Sequence, residues 1–280
     1  MEFPFLLSSR CTRKLQKRIG LLKTDSLSFC LPHCVARWKV LYWNKKQPRL
    51  YKSEETTMKR AYINGILLDG TQHMEPQAHK VLLCEDGVIT AVADEGTDLD
   101  GYEVIDLHGG YAMPGLINLH VHLAGNGKPS AKPRDNAALV RKILSNGLTR
   151  ALAYRMVCSY AKLELLGGVT TIRTVGGIAD FDTRCRDDAQ AGKILAPRIL
   201  AANEGISVPG GHMAGSVAVA AHNNGEALTQ LTKASTQRVD LVKLMITGGV
   251  LDAAEKGTPG ELKMPPEMVK AVCDQAHAMG

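Results

Sequence analysis

The sequence predicts an α/β protein in which a small β unit precedes about four of the eight strand–helix units of a (β/α)8 barrel. Three observations carry this reading. Short apolar runs separated by turn dipeptides fill residues 61–92, apolar strands alternate with helical stretches from Leu116 onward, and the second region is short for a closed barrel. Eight strands typically occupy roughly 250 residues, whereas 165 lie between Leu116 and Gly280 of the 280-residue chain.

The β unit opens with Ala61-Tyr62-Ile63, a turn at Asn64-Gly65, Ile66-Leu67-Leu68 and a second turn at Asp69-Gly70. Such dipeptides tolerate the left-handed backbone of hairpin turns. Val81 to Cys84 and Val88 to Val92 form a second pair around Glu85-Asp86-Gly87, and Glu103 to Leu107 and Tyr111 to Met113 add two strands before Pro114-Gly115. Leu116 to His122 is then the first barrel strand, followed by a helical region over Asn136–Leu166 that Gly147 weakens. Val169–Thr174, Arg198–Asn203 and Leu241–Ile246 are the second, third and fourth strands. Asp182–Ala191, Glu226–Thr236 and the stretch starting at Pro265-Pro266-Glu267 are the helices, with a Gly-rich loop after the third strand. Strands alternating with helices argue for crossover units and a parallel sheet.

Composition sets a boundary near Met58. Residues 1–57 hold 12 Lys or Arg against 4 Asp or Glu, a balance of +8 within a whole-chain charge of +6, so the remainder stands at −2. Trp38, Trp43, three of the four Phe and Cys11, Cys30 and Cys34 also lie there. The leader reads as a basic, disordered or non-native extension, with Met58 as the natural start. Its Arg, Lys and Ser content also suits an organelle transit peptide, whereas Phe5-Leu6-Leu7 is too short for a secretory core. No apolar run approaches the roughly 20 residues of a membrane span, and no nucleic-acid reader motif occurs. Cys84, Cys158, Cys185 and Cys273 lack metal-ligand spacing and read as reduced, buried thiols of a cytoplasmic protein.

His120 and His122 lie two apart on one apolar strand, so their imidazoles project from the same face of the pleat. Two such rings at a strand end suit a shared divalent metal. Lys243 lies between Val242 and Leu244, where a charged ammonium is disfavoured. A neutral amine there can take up carbon dioxide as a bridging carbamate, or the side chain can instead reach solvent or pair with Asp240. Arg173, at the end of the second strand, suits a substrate carboxylate or an acidic partner, and His212 follows the third strand on the face where barrel enzymes assemble their sites. His277 faces the polar side of the last helix, opposite Met268, Val272, Ala276 and Met279, and reads as solvated; His33, His108 and His222 receive no role. Asn203 and Glu204 face the same end without a partner.

The run Met113-Pro114-Gly115-Leu116-Ile117-Asn118-Leu119-His120-Val121-His122 resembles the first-strand motif of the amidohydrolase superfamily. Gly168-Val169-Thr170-Thr171-Ile172-Arg173, Gly210-Gly211-His212, Asp240-Leu241-Val242-Lys243 and Thr247-Gly248-Gly249 continue the resemblance in order. It covers residues 58–280 and is closest to the branch of imidazolonepropionase-like proteins and metal-dependent Xaa-Pro dipeptidases. Thr174 departs from it, since an acid is frequent there.

The resemblance implies a β-sandwich over 58–115, the front half of a metal-dependent hydrolase barrel over 116–280, and hydrolysis of amide or other carbon–nitrogen bonds by a metal-bound hydroxide. Dipeptide-like or N-acyl compounds would be the substrates. It makes His120, His122 and Lys243 ligands of two divalent ions, Zn²⁺ by preference, and His212 and Arg173 substrate contacts. It assigns the further metal histidines and the proton-handling Asp to strands beyond those read here, so the 280-residue chain alone is expected to be inactive. The alternatives are a non-catalytic half-barrel that must pair to close its sheet, or a one-metal cyclic-amide hydrolase or deaminase. Neither nucleic acid nor membrane is an expected partner; a homo-oligomer is an option.

Overall fold

The computed structural model describes residues 57–125, 135–249 and 260–280. The expectations for the leader therefore lie outside the described residues, apart from Thr57. Among the described residues no helix is long and apolar enough to cross a membrane.

The first sheet contains β1 (Lys59–Leu67), β2 (Gln77–Glu85), β3 (Val88–Asp94), β4 (Glu103–Asp106) and β5 (Tyr111–Ala112). Its order is β3-β2-β1-β4, with β5 also paired to β1. β1–β2 and β2–β3 are antiparallel, whereas β4 and β5 run parallel to β1. The turn expected at Asn64-Gly65 is instead an irregularity inside one continuous strand. Asn64 takes a φ of 53°, the β1–β2 register shifts between Tyr62 and Gly65, and Gly109 N–H donates to the Asn64 carbonyl at 2.7 Å. A bulge of this kind bends a strand. Here it lets the first half of β1 pair with β4 and the second half with β5.

The second sheet is parallel, in the order β6 (Leu116–Val121), β7 (Val169–Thr174), β8 (Arg198–Leu200). It meets the first sheet at Gly115, where a Cβ would fall 2.0 Å from the Thr170 Oγ1 on β7, so only glycine permits this approach. The long helical region predicted over 136–166 is two helices, α1 (Asn136–Leu144) and α2 (Gly147–Leu166). The break has a local cause: Asn146 is extended and its side chain accepts from Thr149 N–H at 2.9 Å, so it starts a new helix by capping it. α3 (Phe181–Gln190), α4 (Asn224–Thr236) and α5 (Pro266–Ala278) follow the expected positions within a residue or two.

The third strand is shorter than predicted. Asn203 has a φ of 56°, which breaks the strand after Leu200; the chain resumes as β9 (Gly205–Ser207), parallel to β10 (Ala218–Ala220) inside the Gly-rich loop. The predicted fourth strand, 241–246, is extended but not a full ladder strand. It bridges Ile206 through Leu244, with Ile206 N–H donating to the Lys243 carbonyl at 2.8 Å and Met245 N–H to the Ile206 carbonyl at 2.9 Å. No closed barrel forms among the described residues.

One core lies between the parallel sheet and its helices, where Ile172, Phe181 and Cys185 are fully buried beside Tyr154, Val157 and Ile199. A second joins α4 and α5 through Leu231, Met264, Met268 and Val272; Met279, assigned to the same apolar stripe, is exposed. On β6, Leu116, Ile117 and Leu119 are 50%, 64% and 54% exposed, and among the described residues β6 pairs only with β7.

Candidate active site

The site follows from strand alternation. On β6 and just beyond it, Val121 and Leu123 are buried against the helices, which turns His120 and His122 to the opposite face. On β7, Ile172 and Thr174 are fully buried on the helix side, which turns Arg173 to the histidine face.

The His120 and His122 rings lie edge to face with centroids 5.3 Å apart. His122 Nδ1 lies 2.9 Å from the Gly176 carbonyl oxygen. A carbonyl only accepts, so Nδ1 is the donor, which leaves Nε2 as the nitrogen available to a metal. Gly176 has a φ of +134°, and a Cβ there would meet His122 Cε1 at 3.2 Å and Met245 Cε at 3.0 Å. The wall behind His122 therefore requires glycine.

Arg173 Nε donates to the Leu119 carbonyl at 2.8 Å, so its guanidinium is tied back to β6 rather than to an acid. Lys243 is half-buried on the 241–246 stretch, with Gly205 close enough that a Cβ there would lie 3.4 Å from Lys243 Cγ. The alternative pairing of Lys243 with Asp240 is not realised. Asp240 Oδ2 instead accepts from Arg186 Nη1 and from Ala201 N–H, both at 2.8 Å. His212 is half-buried in the turn after β9.

Partial loss of hydration lowers the pKa of His120 even on this open face, and the neighbouring basic groups Lys243, His122, Arg173 and His212 lower it further. All five predicted residues thus lie in one electrostatic neighbourhood, which favours neutral imidazole at His120. Among the described residues no group of three or more His, Cys, Asp or Glu is placed to hold a metal ion. His277 is exposed on the last turn of α5.

Sequence reasoning missed the layer beneath the site. Asp182 is 1% exposed, and burial raises its pKa to about 6 against hydrogen bonds from the Thr174 hydroxyl and the Asn203 N–H; its Oδ2 has no partner. Asn203, left without a partner by the sequence, binds both neighbouring segments. Its carbonyl accepts from Gly177 N–H at 2.7 Å, its Oδ1 from Thr183 N–H at 3.0 Å, and its Nδ2 donates to Gln237 Oε1 at 3.0 Å. Glu204 pairs with Lys233 at 2.7 Å. The one sequence signal was Thr174, the hydroxyl standing where related sequences often have an acid.

The fold defines an incomplete (β/α)8-type barrel scaffold. The chain belongs to the amidohydrolase family, whose description matches residues 111–280. Among solved structures it is similar to an amidohydrolase, at 23% identity and a TM-score of 0.65, over 80% of this chain and 55% of that one. It is likewise similar to a candidate prolidase from Bifidobacterium longum, at 29% identity and a TM-score of 0.58, over 80% and 48%. A Xaa-Pro dipeptidase with methionine bound in its active site matches at 24% identity and a TM-score of 0.61, over 79% and 54%. The chain thus spans about half the length of the solved proteins it matches. No curated protein sequence matches it significantly.

Proposed function

We propose that this chain carries part of the active site of a metal-dependent amidohydrolase that cleaves amide or other carbon–nitrogen bonds in dipeptide-like or N-acyl substrates. The observation that supports it most is the convergence of His120 and His122, with rings 5.3 Å apart, in the same neighbourhood as Lys243, Arg173 and His212. The donor set suits a divalent metal: two imidazoles on one face, His120 favoured in the neutral form and His122 held by its Nδ1 so that Nε2 is the nitrogen left for a metal. Bound there, one or two Zn²⁺ ions would supply Lewis-acid polarisation and a water acidified towards neutral pH.

The roles of the chain's own residues follow. His120 and His122 are the imidazole ligands, and the Gly176 carbonyl fixes the tautomer of His122. The Lys243 amine, after adding to carbon dioxide and losing a proton, presents a carbamate anion. Arg173, aimed by its bond to Leu119, offers positive charge to a substrate carboxylate, and His212 offers a ring N–H to the carbonyl oxygen of the scissile amide.

The test is metal content by elemental analysis after Zn²⁺ loading, with amide hydrolysis assayed in parallel on this chain and on one extended through the following reading frame. Stoichiometric metal that is lost in His120→Ala, His122→Ala and Lys243→Ala is the expected result. Equal metal retention in all three variants would remove the assignment. The edge of β6 that is exposed and unpaired among the described residues favours one further reading, that the sheet works only when another polypeptide segment covers that edge.

A further inference from the structure

Away from the site, two cysteines lie on adjacent helices at one core, Cys185 buried in it and Cys158 packed against it. α2 and α3 each precede or follow β7 in consecutive crossovers of a parallel sheet, so they run in the same direction and pack side by side. The Tyr154 ring on α2 meets the Phe181 ring on α3 edge to face, with centroids 5.7 Å apart. Cys158 and Cys185 each lie four residues further on. Parallel helices in contact at one turn repeat that contact at the next, and residues four apart share a face. Packed helix axes about 8–10 Å apart, less a Cα radius of about 2.3 Å on each side, leave roughly 3–5 Å between facing Cα atoms. That overlaps the separation a disulfide accepts, about 4.4–6.8 Å.

The contacts around the pair support the same register. The Tyr154 hydroxyl donates to Asp188 Oδ2 at 2.6 Å, one turn beyond Arg184, whose guanidinium stacks 3.9 Å from the Tyr154 ring. The only proton of that hydroxyl is thereby committed to Asp188. Cys158 packs against the core that contains Cys185, and the neighbouring Cys185 thiol is the largest influence holding the Cys158 thiol below its ordinary pKa, against the effects of burial and Asp188. Cys185 is fully buried, whereas Cys158 is half-buried and open to a small oxidant.

We propose that Cys158 and Cys185 form a redox modification site, in which a hydroperoxide oxidises the pair to a disulfide that staples α2 to α3. The Cys158 thiolate attacks the O–O bond of hydrogen peroxide. One oxygen joins sulfur as a sulfenic acid, and the other leaves as hydroxide, which takes up the proton released by the thiol and becomes water. The Cys185 sulfur then attacks the Cys158 sulfur. The S–S bond forms as the S–O bond breaks, and the departing hydroxide leaves with the Cys185 proton as a second water. Two electrons pass from the two thiols to one peroxide, and a dithiol reductant reverses the change. Cys84, whose thiol burial pushes up, is the internal comparison that should stay reduced.

The test uses the whole chain, treated with stoichiometric hydrogen peroxide under native conditions, alkylated and digested without reductant. A Cys158–Cys185 peptide as the main linked product, loss of two of the four free thiols among the described residues, and an upward shift of the thermal midpoint by several degrees are expected. In Cys185→Ser, a sulfenic-acid trap should label Cys158 severalfold more than in the wild type. The proposal fails if the main linked peptide joins other cysteines, or if Cys158 is over-oxidised while Cys185 remains alkylatable after unfolding. The wild-type peptide map decides the matter by itself should the variant not fold.

Discussion

The Gly176 carbonyl oxygen lies 2.9 Å from His122 Nδ1 and faces it from a backbone with a φ of +134°. One loop glycine, free to adopt this φ because it has no Cβ, thereby orients the ring of a predicted ligand. In Gly176→Ala the new Cβ meets His122 Cε1 at 3.2 Å, and the backbone conformation itself becomes unfavourable. Loss of a partner that orients a ligand typically lowers metal affinity roughly 10- to 100-fold. Zn²⁺ affinity by competition with a chromophoric chelator should fall by about that factor, with far-UV circular dichroism unchanged; an unaltered affinity would separate Gly176 from the site.

Lys243 offers a second test because its proposed chemistry depends on carbon dioxide. Metal retention by the wild type should decline when the buffer is stripped of bicarbonate and recover when it is restored. Lys243→Ala should retain less metal under both conditions and show no response. A carbamate carbon signal from ¹³C-bicarbonate, present in the wild type and absent in the variant, is the direct spectroscopic check.

Asp182 links the fold to pH. Burial raises its pKa from 3.8 to about 6 in the folded chain, so between these values the folded state binds more protons than the unfolded state. Stability from this group is therefore full below about pH 4 and is lost as pH rises through 6. The loss amounts to about 3 kcal/mol at neutral pH, as an order of magnitude for a shift of this size. Urea denaturation midpoints should show this downward component between pH 4 and 6 in the wild type, and Asp182→Asn should flatten it.

Arg186 and Asp240 form the anchor of the stretch that carries Lys243. Arg186 Nη1 donates to Asp240 Oδ2 at 2.8 Å and to the Arg238 carbonyl at 2.8 Å, with the Arg186 side chain 8% exposed. Arg186→Met leaves the Asp240 carboxylate partly buried without its cation. The expected destabilisation is about 3 kcal/mol by chemical denaturation, and Arg186→Met/Asp240→Leu should recover most of it, since the cost lies in the unpaired charge.

Much of the architecture was legible because its signals are local. The alternation of β6 put both histidines on one face, and Pro265-Pro266-Glu267 marked the start of α5. Two local readings failed, one for a local reason and one for a distant one. Asn146 was a stronger cap than its neighbours suggested and divided the 136–166 helix. Asn64-Gly65 suits a turn or a bulge equally, and the choice depended on β4 and β5, whose partners lie some 40 residues away.

The sequence by itself determined the order of elements, the face of each strand and the residue types available for chemistry, because strand and helix periods are properties of neighbouring residues. Only the tertiary structure decided what those residues meet. That Asp240 serves Arg186 and not Lys243, and that Gly176 steadies His122, are contacts between segments distant in the chain. Such contacts arise when a hydrophobic core brings separate elements together, and no local pattern encodes which polar groups will then need each other.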